Sequence, residues 1–163
     1  MEIRAFTDHD WPTVWAIFAE VVAAGETYAY PWPMHEGQAR ALWVEDPPAS
    51  TVVALLDDEI VGTAKMGPNR PGRGAHVATA SFMVSAAARG KGVGRALGEY
   101  FLRWTAQERF HGIQFNAVVE TNTAAIALWQ DLGFDIIGTV PEAFDHPTHG
   151  LVGLYVMYRR APS

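Results

Sequence analysis

A mixed α/β fold with a partly antiparallel sheet follows from three features of this sequence. Strand-like segments alternate with segments of helical period along the whole chain. A pair of apolar runs, STVVALLDDEIVGTAKMG, folds back on itself at Asp57 and Asp58, as a hairpin does. A glycine-rich junction, ARGKGVGRAL at 88–97, joins another strand to a long amphipathic helix. With 163 residues, no internal repeat and no linker composition, the expectation is one domain over 1–163.

The elements justify themselves in order. EIRAFT alternates as a strand should. Thr7 and Asp10 have capping-box spacing and Pro12 suits a first helical turn. Trp11, Trp15, Phe18, Val21 and Val22 then recur at helical period until Gly25, and the two tryptophans are expected in the core. Pro31 and Pro33 make ETYAYPWPM a loop. A helix over about 35–45 places Ala39, Leu42 and Trp43 on one face. After the hairpin, residues 69–74 form a turn, HVATASFMV a strand, and the segment from near Gly90 to about Phe110 a helix striped by Val93, Leu97, Phe101 and Trp104. IQFNAVV is a buried strand, Asn122 to Leu132 a short helix, and FDIIGTV a strand. PEAFDHPTHG reads as a loop and LVGLYVMYR as the last strand. The order is β-α-α-β-β-β-α-β-α-β-β, a mixed class.

Composition removes several functional classes. Apolar residues make up 49% and aromatic residues 12%, so disorder is excluded. There is no cysteine, hence no disulfide, thiolate nucleophile or cysteine-ligated metal; this fits a reducing compartment, and a cytoplasmic location is expected. The N-terminus is acidic where a secretory leader would be basic, and no apolar run has membrane-spanning length. A net charge of −6 argues against nucleic acid as the partner. Within that acidic chain, Arg89, Lys91, Arg95, Arg103 and Arg109 concentrate in one segment, which suits a small anion.

The glycine run sharpens that expectation. The first amides of a helix lack internal partners and carry the positive end of its dipole, and glycine lets a bulky anion approach them. A Gly-x-Gly-x-Gly run can equally be a tight packing turn between strand and helix. The dinucleotide fingerprint fails at Leu97, and no Gly-Lys-Ser/Thr ending marks a nucleoside triphosphate loop.

The strand SFMV, the segment Arg89-x-x-Gly92-x-Gly94, and the later Asn-x-x-Ala-x-x-Leu-x-x-x-Leu-Gly-Phe pattern together resemble the GCN5-related N-acetyltransferase (GNAT) superfamily. The likeness is clear over about 75–140, and the element order fits almost the whole chain; the chain resembles the small-molecule branch similar to phosphinothricin-type acetyltransferases. It implies a mostly antiparallel twisted sheet of about seven strands, flanked by four helices and splayed between the fourth and fifth strands. It implies acetyl-CoA as cosubstrate, its pyrophosphate on the backbone of Arg89, Gly90, Lys91, Gly92, Val93, Gly94 and Arg95. Main-chain groups of Phe82, Met83 and Val84 would meet the pantetheine arm and thioester, and Asn122 would bond pantetheine. Asn122 also suits a plain helix N-cap.

The resemblance does not carry over the family's proton-transfer groups. Its leaving-group tyrosine falls at Trp129, after Leu128, and indole N–H does not yield its proton. A thiol near pKa 8.5 leaves with little help, so water or Tyr155 suffices. The strand glutamate of phosphinothricin-type relatives falls at Thr79. Glu120 and Glu26 are the remaining carboxylate candidates for the base, with His76, His111, His146 and His149 behind them. Deprotonating an α-amine at neutral pH costs about 1 kcal/mol against about 4.6 for a lysine amine, which favours a small amine acceptor. Tyr28, Tyr30 and Trp32 either line an acceptor pocket or cover the core. His146 and His149 are expected to be polar loop residues, and no metal is expected.

The expected function is direct acetyl transfer from acetyl-CoA to the amine of a small molecule, an amino acid or a similar amine. The alternatives are a protein N-terminal or lysine acetyltransferase, and a non-catalytic acyl-CoA-binding module. Dimerisation through the edge of an exposed, apolar last strand is a further expectation.

Overall fold

Seven strands and four α-helices make up the computed structural model, which describes residues 1–163. In chain order they are β1 (Glu2–Ala5), α1 (Trp11–Ala24), α2 (Glu36–Trp43), β2 (Ser50–Leu56), β3 (Glu59–Pro68), β4 (Val77–Val84), α3 (Val93–Gln107), β5 (Gly112–Val119), α4 (Thr123–Asp131), β6 (Asp135–His146) and β7 (Gly150–Arg160). The strands form one sheet in the order β1-β2-β3-β4-β5-β7-β6. Pairing is antiparallel for β1–β2, β2–β3, β5–β7 and β6–β7. β4 and β5 run parallel, and their register consists of Val77 opposite Gly112 and Ala78 opposite Ile113, at the start of both strands. The expected fold class is therefore present.

The chain divides into two compact units. One comprises Met1–Ala24, Tyr30–Gly67 and Ala80–Phe101. Its core contains Val14, Phe18, Trp43, Val52, Val53, Met66, Met83, Leu97 and Phe101. Trp43, completely buried, donates its indole N–H to Thr63 Oγ1, which in turn donates to the Val52 carbonyl; the polar edge of the ring is thereby satisfied. The 3₁₀ turn Asp8–Asp10 precedes α1, and Thr7 and Asp10 form the expected capping box. Asp10 also takes a bidentate pair from Arg4, both contacts at 2.8 Å. Leu42 departs from expectation: it is exposed, because α2 ends at Trp43 and its buried face is only Ala39 and Trp43. Trp11 is buried, whereas Trp15 is half-buried.

The other unit comprises Gly25–Ala29, Pro68–Thr79 and Leu102–Ser163. Phe115, Trp129 and Phe134 pack together, with ring centroids 4.4 to 6.1 Å apart. The segment read as a loop from Pro141 is instead the continuation of β6, which runs to His146. Pro141, Glu142 and Ala143 bulge between the pairs Val140–Leu154 and Phe144–Val152, which is how a strand absorbs a proline. The last strand is not at the edge of the sheet; β7 lies between β5 and β6, and β6 is the edge.

Candidate active site

The glycine segment differs from the expectation in one respect that explains it. The helix starts at Val93, not near Gly90, so Gly90 and Gly92 lie ahead of α3 in left-handed backbone, with φ of +76° and +79°. A side chain at either position would meet nothing within 4 Å. No packing demands these glycines; their backbone conformation does, and it leaves a bare main-chain surface facing solvent. The first intrahelical bond runs from Ala96 N–H to Gly92 O, so the amides of Val93 and Gly94 precede the ladder. Arg89, Lys91 and Arg95 are exposed around them.

Several groups hold this segment in place. Ser85 N–H donates to Val61 O, and Ala86 N–H donates to Oε2 of Glu20 on α1, at 3.0 Å. Three successive turns follow, with Ala88, Arg89 and Lys91 N–H donating to the carbonyls of Ser85, Ala86 and Ala88. Gly62 on β3 receives the first turn of α3 so closely that a Cβ there would lie 2.8 Å from Val93 Cγ1 and 3.3 Å from the Met83 carbonyl. Glu20 and Gly62 were not anticipated. An isolated glycine within a strand pattern was a readable signal of close approach; Glu20 had none.

Of the main-chain candidates on β4, Met83 is buried, while Phe82 and Val84 are half-buried. Phe82 sets its ring edge-on to Phe101, with centroids 5.8 Å apart. Of the aromatic candidates, Tyr30 stacks on Phe18 at 5.5 Å and Trp32 leans on Trp15 at 6.0 Å, both in this unit. Trp32 remains 41% exposed while it leans on Trp15. Tyr28 belongs to the other unit and is half-buried.

That second unit carries Asn122, Glu120, Tyr155 and Glu26. Asn122 caps α4, its Oδ1 accepting from Ala125 N–H at 3.3 Å. Glu120 is half-buried just past β5, with Oε1 accepting from Gly153 N–H at 2.7 Å. Tyr155, half-buried on β7, stands opposite Val118. Glu26 is exposed in the turn after Gly25, a residue whose added Cβ would contact Pro147. Trp129, at the family's tyrosine position, is only 7% exposed among Phe115 and Phe134 and serves packing.

His146 is buried, contrary to the reading of it as an exposed loop residue. Its Nδ1 accepts from the N–H groups of Thr148 and His149, at 3.1 and 3.2 Å, and so holds the β6–β7 turn. The side chain takes a backbone role that sequence spacing does not announce. No group of three or more metal-binding side chains occurs in the structure.

The family model for the "Acetyltransferase (GNAT) family" matches residues 15–134. The chain belongs to that family. This GNAT chain is similar to the structure of a GCN5-related N-acetyltransferase from Kribbella flavida, at 57% identity and a TM-score of 0.95, covering 98% of this chain and 96% of that one. It is 34% identical over 120 residues to the N-acetyltransferase aca1 of Schizosaccharomyces pombe, which is 72% of this chain and 57% of the relative. A second curated relative is spanned over only 14% of its length. The fold alone is shared with a phosphinothricin acetyltransferase from Sinorhizobium meliloti solved in complex with AcCoA, at 22% identity and a TM-score of 0.88, with 98% and 88% of the two chains covered.

The residues of this GNAT chain fit the diphosphate of such a cosubstrate. Bare left-handed backbone at Gly90 and Gly92, orphan amides at Val93 and Gly94, and three exposed cations satisfy what a doubly charged anion requires of a protein.

Proposed function

We propose that this chain is an acetyl-CoA-dependent N-acetyltransferase whose acceptor is the amine of a small molecule, an amino acid or a similar compound. The observation that carries the reading is the pair of left-handed glycines, open at Cβ, directly before α3. The backbone from Arg89 to Arg95 holds the diphosphate, and the main chain of Phe82 to Val84 receives the pantetheine arm. Asn122 caps α4 through Oδ1 and keeps its two Nδ2 hydrogens available for donation to a ligand. When bound, acetyl-CoA supplies an activated acyl carbon. The chain has no cysteine to form an acyl-enzyme, which favours direct attack by the amine. Trp129 supplies no proton, so the departing thiolate takes one from water.

The test is release of free coenzyme A thiol upon addition of amines to the purified protein with acetyl-CoA. Turnover of free amino acids above peptides is expected. Turnover of peptides above amino acids overturns the small-molecule acceptor, and tight acetyl-CoA binding without turnover of any amine overturns the enzyme.

A further inference from the structure

The turn that leads into the glycine segment has no cap of its own. Ser85 occupies the N-cap position of the 3₁₀ turn Ala86–Ala88, with φ −60° and ψ 144°, yet its side chain makes no capping bond. The first amide of the turn is capped from a distant part of the chain. Ala86 N–H donates to Oε2 of Glu20, 66 residues earlier on α1, at 3.0 Å. Glu20 is exposed, so the contact is not a by-product of core packing. Glu20, the turn and the glycine segment all belong to one compact unit.

Both ends of residue 86 are engaged. Its carbonyl accepts from Arg89 N–H at 3.3 Å. Ala88 donates to Ser85 O at 3.0 Å and accepts in turn from Lys91 N–H at 3.3 Å. Position is thus handed from Glu20, through overlapping turns, to the two cations on either side of Gly90. Beyond them the chain holds itself weakly. Gly90 and Gly92 are left-handed and face open space, and the amides of Gly90, Gly92, Val93 and Gly94 find no backbone acceptor. Glycine resists rotation least, so the upstream turn decides where those amides point.

We propose that Glu20 is a positioning residue for the cosubstrate: its carboxylate oxygen fixes the Ala86 amide and, through residues 86–91, the set of unpaired amides that receives the diphosphate. The assignment rests on the proposed acetyltransferase function. It runs through the backbone and not through contact with the reacting atoms. The charge of Glu20 is no help to a nearby dianion, so the benefit lies in the hydrogen bond. An uncapped turn would have to be ordered when the ligand binds, and a capped one is ordered beforehand.

Titration calorimetry with coenzyme A reads this role. Glu20→Ala is expected to raise the Kd about three- to tenfold, as the loss of one hydrogen bond does, and to raise the KM for acetyl-CoA by a similar factor with kcat unchanged. Alanine is the better helix former, so α1 itself is not weakened. Glu20→Gln keeps an acceptor oxygen and is expected to hold the Kd within about twofold of the parent. Ala86→Pro removes the donor instead: Ser85 already has the extended backbone that precedes a proline, and the first position of a turn tolerates a residue without N–H. In that background Glu20→Ala is expected to cost nothing further.

A Glu20→Ala protein with the parent's affinity overturns the inference and leaves the anion cradle standing. Equal losses from Glu20→Ala in the parent and in the Ala86→Pro background do the same. A parent that binds no coenzyme A overturns the cradle itself. If Ala86→Pro fails to fold, the two Glu20 variants decide alone, and a Glu20→Gln protein as weak as Glu20→Ala overturns the positioning role.

Discussion

Gly62 on β3 and Val93 at the start of α3 are so close that a single added methyl at residue 62 would fall 2.8 Å from Val93 Cγ1. Valine has little rotameric freedom in a helix, and the same methyl would also fall 3.3 Å from the Met83 carbonyl oxygen. Gly62→Ala must therefore shift the first turn of α3, whose amides are the proposed anion cradle. Expected are a loss of about 1–3 kcal/mol, a melting temperature lower by about 3–10 °C, and weaker coenzyme A binding. Thermal unfolding and titration calorimetry measure the two effects; an unchanged affinity would sever the link between them.

Gly92→Ala tests the left-handed backbone without any steric complication, since its new methyl meets open space. The strain costs about 1–2 kcal/mol of stability, or a relaxed backbone re-aims the cradle. Coenzyme A affinity is expected to fall at least about tenfold, since 1.4 kcal/mol lost at the contact is that factor. Parent-like affinity in the calorimeter would refute the anion-cradle reading.

Lys91 is exposed and supports no core contact, so Lys91→Ala is expected to leave the melting temperature within a degree of the parent. Its effect belongs to binding alone: weaker coenzyme A affinity and a shallower dependence on salt, because one screened attraction is gone. Equal salt slopes for parent and variant would place the anion elsewhere.

Asn122 carries two separable functions, a cap through Oδ1 and the proposed donation through Nδ2. Asn122→Asp retains the cap acceptor and removes the donors; stability should hold while the KM for acetyl-CoA rises. Asn122→Ala should lose about 1 kcal/mol of stability in addition. Identical KM values for parent and Asp variant would confine Asn122 to capping.

Much of this was legible because local and global signals coincide in the chain. The element order, the hairpin at Asp57 and Asp58, the Thr7–Asp10 capping box and the Asn122 cap each follow from residues close in sequence. What escaped the sequence depends on contacts between distant residues. Pro141 reads as a strand breaker, yet pairing with β7 carries β6 through it as a bulge. His146 reads as an exposed polar residue, yet its ring nitrogen holds the adjacent turn. Gly62 and Gly153 stand as unexplained glycines within apolar strands until the structure shows Val93 and Glu120 beside them. Glu120 was recognisable as a candidate base; what restrains it was not.

Asp10 sets the acid response of the fold. Its side chain is buried, and the Arg4 guanidinium bonded to it, helped by Thr7, holds its carboxyl down at about 2, below the ordinary 3.8. The unfolded chain binds the extra proton first, so the stabilisation is complete above about pH 5 and is lost as the pH falls through 3.8 toward 2, amounting to about 2 kcal/mol. Asp10→Asn should show a flatter unfolding free energy between about pH 5 and 2 than the parent in urea titrations. Parallel curves for the two proteins would contradict this.

The long edge strand has a consequence for handling the protein. Ile136, Ile137 and Val140 are exposed on β6, where nothing on the outer side pairs with the backbone. Pro141 withholds an amide, Glu142 turns left-handed at φ +52°, and the resulting kink interrupts what would otherwise be a flat template for fibre growth. Straightening those three residues would shorten the shelf life of the purified material.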